Sequence, residues 1–195
     1  MKDAILASTE AAALTGGPSF SFAFRLRRLA WIVCWTLLAR WTPKSMFAWR
    51  RMLLRAFGAR MTPTSRVYGS ARIWWPGNLA MEQETAVGPR VVIYSMGLIS
   101  IGAFTIVSQD AHLCAGTHDH EDPAFPLSPR PIAIGRHCWI AAEAFVAPGA
   151  VIADGVVLAA RGVAFGRLEP WTVYRGNPAV PYRPRRKPHA VPDPA

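Results

Sequence analysis

The sequence predicts a mainly β fold, a parallel β-helix, preceded by a basic helical arm. Three observations predict it. An aliphatic residue returns at every sixth position in long blocks after Val67. A small residue usually follows each of these anchors. The first sixty residues lack that repeat and mix arginine, tryptophan and leucine at helical spacing instead.

The repeat comes in four blocks. Val67, Ile73 and Leu79 are six apart, as are Val87, Ile93 and Ile99, and again Ile101, Val107 and Leu113. After a proline-rich gap come Ile134, Ile140, Val146, Ile152, Leu158 and Ala164 without a break. Neither a helix of 3.6 residues per turn nor an alternating strand gives that period. A hexapeptide period is the mark of a parallel β-helix. Each hexad makes one side of a triangular coil, and each anchor points inward to stack on its equivalent eighteen residues on. Gly88, Gly102, Gly135, Ala141, Ala147, Ala153 and Ala159 follow anchors and let the chain turn at the corners. The phase shifts predict excursions at "QETAV", at "YSMGL" with a Gly97 turn, and at 119–131. In the last, Pro123, Pro126, Pro129 and Pro131 keep the chain from adding a strand to the coil.

Three segments follow: an arm at 1–62, the β-helix at 63–176 and a C-terminal cap with a basic, proline-rich tail at 177–195. The 195 residues suit one domain plus an appendage. A hydrophobic content of 51% against 17% charged residues excludes a disordered chain. Cys34, Cys114 and Cys138 form no CxxC pair, which argues against a disulfide framework or zinc ribbon and suits a reducing, cytoplasmic setting.

The net charge of +10 sits mainly in the arm. Residues 1–60 hold ten Lys/Arg and two acids, and no acid occurs from Ala11 to Met81. Helices are expected at Phe24–Arg40 and Lys44–Phe57, separated by Pro43 and stopped by Gly58. In the second, Met46, Phe47, Trp49, Leu53, Leu54 and Phe57 share a face, with Arg50, Arg51 and Arg55 towards the other. The longest uncharged apolar run of the arm, Leu29 to Ala39, is 11 residues, against roughly 20 for a spanning helix. Residues 24–60 therefore suit peripheral contact with an anionic membrane, or packing on the coil or a sister subunit. No motif points to nucleic acid.

Three motifs carry a resemblance: "IVSQDAHLCAGTHDHEDPAFPL", "IAIGRHCWIAAEAFVAPGAVIADGVVLAARGVAF" and "YRGNPAV". From Val67 to Arg183 the chain resembles the hexapeptide-repeat acyltransferases, and among them the colanic-acid-type O-acetyltransferases of exopolysaccharide gene clusters. The resemblance implies a left-handed coil, a homotrimer with active sites between subunits, acetyl-CoA as donor and no metal. It implies direct transfer of acetyl to a sugar hydroxyl, the acceptor being a glycosyl unit on a lipid carrier or a nucleotide sugar.

Such transfer needs a base for the hydroxyl proton, donors for the oxyanion and a slot for the acyl carrier. A neutral imidazole suits the first role. Of His112, His118, His120, His137 and His189, the resemblance selects His118, where the loop leaves the coil. His120 is the rival, and Asp119 or Asp110 would orient the ring. His112, last in its hexad, reads as a corner residue, His137 as surface or lining, and His189 as exposed. The backbone N–H of Ala142 is the implied oxyanion donor. The family's acceptor-turn Asn is replaced by Tyr94–Ser95–Met96–Gly97, so Ser95, with Asp119 and Phe125, is the candidate sugar contact.

The implied donor slot runs over Trp139, Ala141, Ala142, Ala159 and Ala160. The family's basic residue after "GNPA" is Val180 here, and its late Lys is replaced by Gly166–Arg167. Arg161, Arg167, Arg183 and Arg185 are left to meet the carrier's phosphates. Two other classes use such a coil. A γ-carbonic-anhydrase-like zinc enzyme would need a close HxxxxH pair, which is absent. A non-catalytic scaffold at the membrane would have no use for the intact "GTHD".

Overall fold

The computed structural model describes residues 19–187, so His189 lies outside the described residues. It is a triangular parallel β-solenoid. The first sheet holds β1 (Arg60–Met61), β4 (Leu79–Met81), β7 (Ile99–Ile101), β12 (Ile132–Ile134), β15 (Val151–Ile152) and β18 (Arg167–Leu168). The second holds β2 (Arg66–Val67), β5 (Ala86–Val87), β8 (Ile106–Val107), β13 (Trp139–Ile140), β16 (Val157–Leu158) and β19 (Thr172–Arg175), closed by antiparallel β20 (Val180–Pro184). The third holds β3 (Arg72–Ile73), β6 (Val92–Tyr94), β9 (His112–Cys114), β14 (Phe145–Val146) and β17 (Val163–Ala164). Between β9 and β12 the chain leaves as a hairpin of β10 (Gly116–His118) and β11 (Leu127–Pro129).

The anchors form three inward columns. Met61 continues the register one hexad before Val67, and Met61, Met81, Ile101, Ile134, Ile152 and Leu168 line one side. Val67, Val87, Val107, Ile140, Leu158 and Tyr174 line the second, and Ile73, Ile93, Leu113, Val146 and Ala164 the third. All are buried, so this stack is the core. The Tyr174 hydroxyl accepts a 2.8 Å bond from the Glu169 amide and seals the last coil.

The coil is less regular than an eighteen-residue repeat. In the first coils partners stand twenty residues apart, as with Arg60 and Ala80. Across the hairpin they stand thirty-three apart, as with Ile101 and Ile134, and eighteen holds for Ile134 with Ile152. The phase shift therefore falls at the wide corners 74–78 and 95–98. There β4 and β7 each present two inward residues, Leu79 with Met81 and Ile99 with Ile101. "QETAV" is not an excursion; its Thr85 is buried in an ordinary corner, with its hydroxyl donating to the Glu82 carbonyl at 2.7 Å.

The arm packs on the solenoid and caps its first coil. Helix α1 spans Phe22–Leu38 and α2 spans Phe47–Ala56. The carbonyls of β2 and β3 on the open side of the first coil have no preceding coil to bond, and an open edge invites pairing with other chains. On β3, Trp31 Nε1 donates to the Ile73 carbonyl at 2.8 Å and Trp35 Nε1 to the Ala71 carbonyl at 3.1 Å. The match is geometric. Four helical residues rise about 6 Å and two strand residues about 6.6 Å.

On β2, Arg50 Nε donates to the Val67 carbonyl at 2.7 Å and Arg51 Nη1 to that of Ser65 at 3.1 Å. This corrects the expected faces of α2, because Arg50 is fully buried and Arg51 also turns inward. Arg50 Nη1 and Nη2 further bond Thr42, Pro43 and Lys44. The outer face of α1 is left uncovered, with Phe22, Leu26, Leu29, Val33 and Leu37 exposed. No helix among the described residues is long and apolar enough to cross a membrane.

Candidate active site

The hairpin leaves the corner between the third and first sheets. Its ladder pairs Gly116 with Pro129, Thr117 with Ser128 and His118 with Leu127. Gly116 sits close to its neighbours, since a Cβ there would stand 2.7 Å from Met96 Sδ and 3.1 Å from Tyr94 Cε1 and both would have to shift. His118 is thus held on a short ribbon rooted in the coil.

The acids of the loop build its tip. Asp119 Oδ1 accepts the Glu121 amide at 3.1 Å and Asp122 Oδ1 that of Ala124 at 2.8 Å, two Asx turns. The Asp122 carbonyl accepts the Phe125 amide at 2.8 Å. Phe125 is thereby set against His118, with its carbonyl 2.9 Å from Nδ1 and its ring stacked at 4.4 Å.

Several expected roles are corrected. Neither Asp119 nor Asp110 orients the His118 ring. The first caps a turn, and the second pairs with Arg90 at 2.6 Å on another corner. Ser95 is fully buried, and its hydroxyl donates to the Trp75 carbonyl at 2.7 Å and accepts the Trp75 amide at 3.0 Å. Its single donor is spent and the side chain is fully buried, so it offers no surface to a sugar. His112 is a strand residue of β9, half-buried edge-on against Phe145. Burial holds its imidazole below the ordinary value. His137 stacks on Phe104 at a corner, and His120 is exposed beside Glu121 at 3.3 Å. Among the described residues no three His, Cys, Asp or Glu side chains converge to hold a metal ion.

The expected donor residues do come together. A groove of about 570 Å³ follows the corner between the second and third sheets. Trp139, Ala141, Ala142, Ala159, Ala160 and Arg183 all line it. Trp139 lies half-exposed, its Nε1 donating to Ser108 Oγ at 2.9 Å. Alanines keep the floor low.

Ser108, Gln109 and Arg185 also line the groove, and the first two were not singled out from the sequence. Counting finds Gln109, since it stands two residues after the anchor Val107, as Ala142 follows Ile140 and Ala160 follows Leu158. The backbone N–H groups of Gln109, Ala142 and Ala160 have no acceptor among the described residues, so the corner carries a ladder of free donors. Arg185 Nη1 is fixed to the carbonyls of His137 at 2.6 Å and Gly155 at 3.1 Å.

Arg161 and Arg167 do not line the groove. Arg161 pairs with Glu143 at 2.8 Å and Arg167 with Glu169 at 3.3 Å, each turned outward and neutralised. Nor does one chain bring His118 to the groove. They stand at opposite ends of the third sheet, one side of the triangle, roughly 20 Å for a hexad of extended chain.

No family model matches the chain. WcaF of Escherichia coli K12, named as a colanic acid biosynthesis acetyltransferase, is 42% identical over 158 residues, covering 81% of this chain and 86% of WcaF. A chloramphenicol acetyltransferase of Escherichia coli is 33% identical over 106 residues, 44% of this chain and 50% of that one. Among solved structures, the hexapeptide-repeat acetyltransferase VCA0836 of Vibrio cholerae O1 biovar eltor, in complex with acetyl coenzyme A, superposes with a TM-score of 0.75. That match has 19% identity and covers 93% of this chain and all of the other, a likeness of fold.

Proposed function

The chain belongs to the hexapeptide-repeat acetyltransferases, in the branch of WcaF, and from that premise we propose that it moves acetyl from acetyl-CoA directly to a sugar hydroxyl in surface-glycan synthesis. The separation of His118 from the groove is the observation that carries this reading. Base and donor slot sit on different corners of one prism, and threefold association of like chains sets one subunit's corner beside the next one's. The assembly is a homotrimer with its active sites between subunits.

In this mechanism His118 takes the hydroxyl proton as the oxygen attacks the thioester carbon, and gives that proton to the departing coenzyme A sulfur as the carbon–sulfur bond breaks. The Phe125 carbonyl can only accept, so Nδ1 carries the ring hydrogen and Nε2 is the free base. The Ala142 N–H faces the developing oxyanion. Acetyl-CoA supplies the thioester when bound, and the groove suits its long arm. The alanine floor lets the arm lie against backbone, the free N–H groups of Gln109, Ala142 and Ala160 can meet its amides, and Arg183 and Arg185 are the nearby cations. No acyl-enzyme is needed, since His118 has no Ser or Cys nucleophile bonded to it.

The enzyme works at the cytoplasmic face of the membrane, touching anionic lipid through the outer face of α1. Its acceptor is a glycosyl unit on a phosphate carrier. Mass spectrometry of glycan precursors from cells with and without the gene tests the reading, together with light scattering of the purified protein. Loss of one acetyl mass and a trimer are expected. An unchanged precursor pool, or a monomer that is fully active, would overturn it.

A further inference from the structure

A second cavity, of about 290 Å³, lies between α1 and the outer face of the third sheet. Arg28, Arg40 and Arg72 all line it, with Trp74 and Tyr94. No acid lines it, and none of the three arginines pairs with a carboxylate of the described residues. Arg28 lies 4.6 Å over the Trp74 ring, and its Nε is buried without a hydrogen-bond partner. Burial holds this guanidinium below its ordinary value, partly offset by Tyr94. A desolvated cation with an unused donor is costly unless an anion meets it. Guanidinium forks match phosphate oxygens in pairs.

The cavity also leads to the catalytic hairpin. Tyr94 walls it and packs on Gly116, the first residue of the strand that ends in His118, two residues or roughly 7 Å along.

We propose that this cavity binds a phosphate or diphosphate ester, the carrier group of the acceptor whose sugar reaches His118. The assignment of the ester to the acceptor rests on the acetyl-transfer reading above. The same chemistry has two sources, a soluble nucleotide sugar or a prenyl phosphate in the bilayer over which α1 lies.

Titration calorimetry with inorganic pyrophosphate tests the site, on the full chain and on Arg72→Ala, Arg28→Gln and Arg60→Ala. Arg72 and Arg60 are both exposed and have no side-chain bond to another described side chain, so neither change threatens the fold. One pyrophosphate per chain is expected, weakened about tenfold or more by Arg72→Ala and Arg28→Gln and unaltered by Arg60→Ala. Displacement of pyrophosphate by UDP-glucose assigns the soluble source. Flotation with phosphatidylcholine vesicles carrying prenyl phosphate, lost in Arg72→Ala and absent with plain phosphatidylcholine, assigns the lipid source. No pyrophosphate binding, or an equal loss in Arg60→Ala, would overturn the site. Thiol release from acetyl-CoA with a neutral methyl glycoside separates the two proposals. Transfer without pyrophosphate binding removes this site alone, and binding without transfer to any acceptor removes the acetyl-transfer reading and the assignment to the acceptor while leaving the phosphate site.

Discussion

The Phe125 carbonyl stands 2.9 Å from His118 Nδ1, and the Phe125 ring lies on the imidazole at 4.4 Å and 13°. One loop residue thus fixes both the tautomer and the plane of the candidate base. A carboxylate in that place would stabilise the imidazolium by charge, whereas a carbonyl only orients.

Replacing His118 tests the base. His118→Ala should lower kcat by about 10²- to 10⁴-fold and leave the melting temperature near that of the parent, because the side chain is only half-buried outside the core. Thiol release from acetyl-CoA in the presence of acceptor gives the rate. Near-normal turnover in the variant would remove His118 from the chemistry.

Phe125→Leu keeps the carbonyl and removes the stack. If Phe125 positions the base, kcat falls, by about tenfold as for a modest misalignment, with KM for the sugar unchanged. If the ring lines the sugar site, KM rises instead and kcat holds. Steady-state kinetics with the acceptor varied distinguishes the two.

Arg50 is a buried cation whose bonds all go to backbone carbonyls and one hydroxyl. Arg50→Met fills similar space but leaves the Val67, Pro43 and Lys44 carbonyls without that partner. The expected loss is about 3 kcal/mol, as for removing one member of a buried charged network. Urea unfolding reads it directly. A loss under about 0.5 kcal/mol, the range of ordinary surface changes, would show that the edge cap is not structural.

The solenoid was legible because its signal is repeated. Each anchor from Val67 to Ala164 had neighbours six residues away to confirm it. Its irregular coils were not legible, since Leu79 and Met81 both point inward and the six-residue count cannot say which one holds the register. The candidate base and the alanines that line the groove were picked out by motifs, and Gln109, two residues after the anchor Val107, was missed because it is not one of the small residues that mark the other corners. Ser95 failed for a physical reason. A turn serine reads the same whether its hydroxyl faces a ligand or, as here, the Trp75 backbone. The arm failed differently: at about 100° per residue Arg50 stands about 60° from Leu53 on the same face, but its charge argued for solvent, and nothing in the sequence shows that a bare strand edge waits there.

His112 supplies a pH prediction. Burial against Phe145 lowers its folded pKa below the unfolded value near 6.5. The unfolded chain therefore binds the proton more readily, and the native state loses stability as pH falls from about 6.5 through the depressed folded value. Above that window His112 is neutral in both states and the term is absent. His137 is shifted the same way, first by burial and then by Arg185. The parent and His112→Phe should differ in the slope of melting temperature against pH below 6.5, with the variant flatter. Identical slopes would assign the effect to His137 alone.

The outer stripe of α1 gives the last prediction. Phe22, Leu26, Leu29, Val33 and Leu37 are all exposed, and Arg25 and Arg27 are exposed beside them. No acid occurs in the sequence between Ala11 and Met81, so neither α1 nor α2 carries a charge that repels an anionic surface. Burying a leucine contributes about 1.5–3 kcal/mol, so Leu29→Asp with Val33→Asp should weaken binding to phosphatidylglycerol-containing vesicles by tenfold or more. Neither residue touches the core, so the melting temperature should hold. Raising salt should weaken the parent's binding as well, because the arginine share of the attraction is screened within about 10 Å at 0.1 M. Sedimentation with vesicles measures both effects. Equal binding by the doubly charged variant would mean that α1 does not face the lipid, and the apolar stripe would then need another chain of the assembly to cover it.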